Sequence, residues 1–150
     1  MIRSVSLSGC GWLIPYHVGV LKCLMERGVV CKDRTVLSGV SGGAIVAAGA
    51  KSGLDLDDVS GLMREGADRI RNTMNGRIVG NMRHVLEEML DDVLPSNAHE
   101  MVSQKVRIGV LTPRLKCKMV SDFESKKDLI HAILASSHIP FYMDGRIFYH

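Results

Sequence analysis

Gly39-Val40-Ser41-Gly42-Gly43 decides how this chain reads. Thr35-Val36-Leu37-Ser38 precedes it and has the β-rich character of a short buried strand. Ala44-Ile45-Val46-Ala47-Ala48 follows, small and apolar, with no turn residue before Gly49. The pattern is strand, sharp turn, helix, with a serine at the apex in the spacing G-x-S-x-G. A strand reversing directly into a helix crowds its apical residue, so glycines at 39 and 43 let the backbone cross. The spacing predicts that the Ser41 hydroxyl stands over the end of a sheet. The helix that follows directs its N-terminal N–H groups and positive dipole end toward the place where an oxyanion would develop. A glycine-rich turn with an incidental serine produces the same pentapeptide, so the rest of the chain has to decide.

The 150 residues are 46% hydrophobic and 23% charged, which suits one domain with a real core. A net charge of +3, with no basic stripe interleaved with aromatics, gives no footprint for nucleic acid. Cys10, Cys23, Cys31 and Cys117 lack C-x-x-C spacing and read as reduced thiols of a cytoplasmic protein. No signal peptide is evident, and no apolar run approaches the roughly 20 residues of a membrane span.

Ile2 to Leu7 alternates toward a glycine and reads as a first strand. Ser8-Gly9-Cys10-Gly11-Trp12 is then a glycine-rich loop, Pro15 opens a helix, and Gly28 closes it. With the second strand and the elbow helix to about Ser52, the first fifty residues spell β-loop-α-β-turn-α, the start of a parallel sheet. Two amphipathic helices fill the middle, the first around Val59, Leu62, Met63, Ala67 and Ile70 and the second from Met82 to Val93, with Asn75-Gly76 and Gly80 marking a loop between them. Met63, Met74, Met82, Met89 and Met101 read as core filler more readily than as a lipid-contacting surface. Val106–Leu111 and Cys117–Val120 form a strand pair with a turn at Pro113. Ser125 caps a helix that ends near Ser136-Ser137, and Asp144-Gly145 is the turn of a hairpin between Phe141-Tyr142-Met143 and Arg146-Ile147-Phe148-Tyr149.

A serine nucleophile needs an oxyanion hole and a base. The loop Gly9-Cys10-Gly11-Trp12 can turn consecutive N–H groups toward one anionic oxygen. The same loop could open a dinucleotide site, but Ile14 stands where the third glycine belongs, and no lysine follows in phosphate-loop spacing. For the base, His17, His84, His99 and His131 precede any suitable acid, while His138 and His150 have the right order without a clear strand-end setting.

Three blocks together resemble the patatin-like phospholipase family, with particular similarity to its adipose triglyceride lipase branch. Val5-Ser6-Leu7-Ser8-Gly9-Cys10-Gly11-Trp12 running into Tyr16-His17-Val18-Gly19-Val20 is similar to the oxyanion loop and first helix. Ser38-Gly39-Val40-Ser41-Gly42-Gly43-Ala44 is similar to the nucleophile elbow. Asp128-Leu129-Ile130 through Ser136-Ser137 and Ile139-Pro140 is similar to the late helix before the catalytic acid. The resemblance implies a three-layer α/β/α domain with a mostly parallel sheet. It also implies a Ser–Asp dyad in which Ser41 attacks a lipid ester and N–H groups of Gly9, Cys10, Gly11 and Trp12 hold the oxyanion. Gly39 and Gly43 shape the elbow, and no cofactor or metal is implied. The expected partner is a triacylglycerol or phospholipid at a membrane or lipid-droplet surface, with room for a protein co-activator.

Asp144 is the tempting dyad acid. It lies only four residues after Pro140, and Arg146 stands where the family has glycine or alanine, so the turn reading is the stronger one. The expectation is then a domain shortened at its C-terminal end, with the acid beyond residue 150. A fold that keeps its lipid-binding or regulatory role without catalysis is the alternative.

Overall fold

The computed structural model describes residues 2–73, 79–112 and 114–149. Expectations on Met74, the Asn75-Gly76 loop, the Pro113 turn and His150 lie outside them. Strands β1 (Ser4–Leu7), β2 (Val36–Gly39), β3 (Val106–Leu111) and β4 (Cys117–Val120) form one sheet in the order β1-β2-β3-β4. The first three are parallel and β4 runs antiparallel to β3, so the α/β, mostly parallel sheet read from the sequence is the one found.

Helix α1 (Ile14–Glu26) links β1 to β2, and α2 (Gly42–Lys51) leaves β2 at the elbow. Then come α3 (Leu56–Thr73), α4 (Met82–Val93) and α5 (Ala98–Val102) before β3, with α6 (Lys126–Ser137) after β4. The short α5 is an addition to the sequence reading. Ser125 caps α6 as expected, its hydroxyl accepting the Asp128 N–H at 3.1 Å, although the reciprocal carboxylate takes the N–H of Glu124 rather than of Ser125.

The register places Leu7, Leu37, Gly39, Val106 and Ile108 on a buried sheet face. Helix α2 packs on β1, β2 and β3 and is buried along its whole length, which its alanines and glycines permit. Around it, α1, α3, α5 and α6 complete one helical layer, and α4 joins it through α3 and α6. Ser4, Ser6, Arg107, Leu111, Cys117 and Met119 alternate onto the opposite face and are exposed. The described helices therefore supply one of the two layers expected to flank the sheet.

The C-terminal hairpin is a correction. Residues 138–149 form turns and irregular backbone with no strand. One bond, Phe141 N–H to the Arg146 carbonyl at 2.8 Å, crosses the Asp144-Gly145 turn. The carbonyls of Tyr142 and Met143 instead accept N–H groups from Gly80, just ahead of α4, and Arg83, in its first turn, which removes them from any ladder. The same docking brings Met143 into the core at 4% exposure.

Candidate active site

Ser41 sits between β2 and α2 with φ 53° and ψ −125°, a backbone conformation a side chain rarely adopts. Neighbouring glycines make it possible through close approach. A Cβ on Gly39 would lie 2.4 Å from the Gly43 carbonyl, and one on Gly43 would lie 2.3 Å from the Leu7 carbonyl oxygen. Backbone passes against backbone at both points, and no side chain could move aside.

The late helix holds this turn in place. Ser136 Oγ accepts the Ser41 N–H at 2.9 Å and donates to the Gly109 carbonyl at 2.6 Å, tying α6, the elbow and β3 together. Sequence reasoning recognised Ser136 only as part of a helix end. The Ser41 side-chain oxygen has no hydrogen-bond partner among the described residues.

The glycine loop lies beside the elbow, with the ideal Cβ position of Gly9 3.7 Å from Ser41 Cβ. Val40 N–H donates to the Leu7 carbonyl at 3.2 Å, fixing the strand ends against each other. Gly9 and Cys10 donate no backbone hydrogen bond among the described residues, and Gly42 N–H, at the first helical position, has no intrahelical acceptor. Gly11 takes φ +52° and starts the 3₁₀ turn Gly11–Leu13 that carries Trp12. His17 anchors the loop from behind: its Nε2 lies 3.1 Å from the Ser8 carbonyl, and since a carbonyl only accepts, that nitrogen carries the proton. Burial pushes the Cys10 thiol above its ordinary pKa, so the loop offers backbone donors and no thiolate.

A cavity of about 70 Å³ opens at Ser41. Trp12, Ile14, Ile45, Leu86 and the thioethers of Met63, Met82 and Met143 give it an apolar wall, so these methionines both pack the core and face the cavity. Ser137, Ile139 and Tyr142 complete one side. No histidine, aspartate or glutamate among the described residues contributes to the wall. His84 pairs with Glu88, His131 lies 3.8 Å from Glu87, and His138 Nε2 donates to the Ile147 carbonyl at 3.2 Å.

Asp144 is engaged elsewhere. Its Oδ2 accepts from Arg83 at 2.9 Å and its Oδ1 accepts the Arg146 N–H at 3.1 Å, closing the turn locally. Burial works to raise its pKa, but the Arg83 hydrogen bond, the Arg146 N–H and nearby positive charge outweigh it and hold the carboxyl below its ordinary value. The Arg83 guanidinium also lies over the Tyr149 ring, 4.5 Å from its centroid.

An elbow with a strained apical serine, a glycine loop with free donors beside it and an apolar cavity in front invites comparison with known proteins. The sequence model of the family described as Patatin-like phospholipase matches residues 5–150. The chain belongs to the patatin-like phospholipase family. Human 1-acylglycerol-3-phosphate O-acyltransferase PNPLA3 is 36% identical over 147 residues, and human patatin-like phospholipase domain-containing protein 2 is 31% identical over 145. Human patatin-like phospholipase domain-containing protein 4 is 27% identical over 144 residues. Each comparison takes in 93% of this patatin-like chain, which spans 30%, 28% and 57% of those relatives respectively.

Proposed function

We propose that this patatin-like chain carries the nucleophile, oxyanion donors and acyl cavity of a lipid acyl hydrolase. Ser41 attacks the carbonyl of a lipid ester, expels the alcohol and forms an acyl-enzyme, which water then cleaves. N–H groups of Gly9 to Trp12, with Gly42 at the start of α2, stabilise the oxyanion, and the helix dipole adds to their effect. The observation that carries this reading is the strained Ser41 backbone at the mouth of an apolar cavity.

The base is a carboxylate outside the described residues, completing a Ser–Asp dyad, since none of the described carboxylates reaches the cavity wall. The name of PNPLA3 adds acyl transfer to an alcohol as a second fate for the same acyl-enzyme. Both fates share every step up to the acceptor.

The surroundings of the cavity favour a lipid surface as the place of work. Trp12 and Ile139 contribute to the wall while remaining 38% and 55% exposed, and Leu13, next to Trp12 in the chain, is 68% exposed. No helix among the described residues is long and apolar enough to cross a membrane.

In a protein continued past residue 150, a fluorophosphonate probe should label Ser41, and Ser41→Ala should abolish the labelling. Release of nitrophenol from a medium-chain ester should require Ser41 and reach its full rate only in a protein continued past residue 150. Equal hydrolysis by the alanine variant removes the nucleophile assignment. Labelling without hydrolysis in every continued version favours a lipid-binding or regulatory module.

A further inference from the structure

Ser137 lies one residue beyond the serine that holds the elbow, yet its hydroxyl has a different situation. Its residue is 7% exposed, and its Oγ is buried with no hydrogen-bond partner among the described residues. A serine in a helix can bond a carbonyl of the preceding turn or turn toward solvent. Ser137 does neither, and a buried hydroxyl left without a partner is costly enough to call for an explanation.

The position supplies one. Ser137 forms part of the cavity wall that also contains Ser41, among side chains that are otherwise mostly apolar. We propose that the Ser137 hydroxyl donates to an oxygen of the bound acyl ester, setting the ester group at one depth beside Ser41. This rests on reading the cavity as an acyl-ester site and adds how the ester is located within it. The two consecutive hydroxyls of α6 then divide their work. Ser136 orients the nucleophile through its N–H, and Ser137 orients the substrate. Ser137 is a positioning residue: it takes no proton and forms no covalent bond.

The ligand class follows. Backbone donors around Gly9 are directed to the carbonyl oxygen, which leaves Ser137 to the alkoxy oxygen or to a hydroxyl on the alcohol part, as a glycerol ester offers. A plain hydrocarbon of equal length fills the same apolar wall and leaves the hydroxyl unpaired.

The test uses the Ser41→Ala protein, in which esters bind without turnover. Affinities of methyl decanoate and of dodecane are measured by displacement of a fluorescent polyene fatty acid, with and without Ser137→Ala. Loss of one hydrogen bond predicts a fall of about 3- to 10-fold in ester affinity and no change for the hydrocarbon. Equal affinities with and without Ser137 overturn the proposal and leave the cavity assignment standing. Failure of both ligands to bind overturns the two together. Thermal unfolding gives an independent reading. Ser137→Ala removes no bond of the ligand-free protein, so its Tm should hold or rise, and a fall of about 4 °C or more would reveal an internal partner and refute the assignment.

Discussion

Ser136 and Ser41, 95 positions apart, are joined by a hydrogen bond of 2.9 Å from the Ser41 N–H to the Ser136 hydroxyl. That hydroxyl donates a hydrogen bond to the Gly109 carbonyl at 2.6 Å, so one side chain satisfies two backbone groups at the elbow. Ser136→Ala leaves both unpaired, and stability should fall by about 1–3 kcal/mol in denaturant unfolding. With the same substitution in a protein continued past residue 150, labelling of Ser41 by a fluorophosphonate should slow, because the strained apex loses its brace. Unchanged labelling at unchanged stability would show that the bond constrains nothing.

The elbow glycines and a helical glycine make a matched pair. Gly43→Ala would place a methyl 2.3 Å from the Leu7 carbonyl oxygen and 2.6 Å from that of Ser8, so strand and helix must separate. The expected loss is about 3 kcal/mol. Gly19, within α1, has nothing within 4 Å of its Cβ position, and Gly19→Ala should stabilise by about 0.5–1 kcal/mol. Urea midpoints of the two variants should move in opposite directions.

Asp144 gives the acid side of the stability profile a sign. Its folded-state pKa lies below the ordinary 3.8, so its contribution is complete above that value and disappears as pH falls through the lowered one. Asp144→Asn should therefore lower stability at neutral pH and flatten the acid limb. Parallel limbs in variant and parent would contradict the Arg83 pairing. Retained esterase activity of Asp144→Asn in a protein continued past residue 150 is also expected, since the carboxylate is held by Arg83 and Arg146.

Lys51 acts at the alkaline side. It is 5% exposed in α2, its ammonium donates to the Lys32 carbonyl, and burial lowers its pKa from 10.5. The unfolded chain binds this proton more tightly, so stability should rise as pH climbs from the folded value toward 10.5. Lys51→Met should remove that rise in denaturant midpoints measured from neutral pH upward.

Much of this was legible in order along the chain because the signals are local. Pro15, Gly28, the elbow glycines and the Ser125 cap each mark a boundary through the conformation of a few neighbouring residues. The hairpin at Asp144-Gly145 was misread because the turn itself is real, with Gly145 at φ +76°, while its arms are claimed by Gly80 and Arg83. Partners so distant in the chain leave no mark on the dipeptide. Helix α5 went unseen because five residues are too few to show a period. Ser136 has no signature of its own. Its role exists only once α6 lies against β3.

The elbow and the cavity wall differ in how much change they can absorb. At Gly39 and Gly43 the fit is between main-chain atoms, so no exchange of side chains can retune it. The wall draws Met63 from α3, Met82 from α4 and Met143 from the C-terminal turns docked against α4, three flexible side chains on three stretches of the chain. Replacing one changes the shape of the cavity and leaves the main-chain fit at Gly39 and Gly43 untouched. In a lineage built on this arrangement the cavity can change shape through single substitutions while the elbow stays fixed, and under the proposed function acyl-chain preference would drift with it.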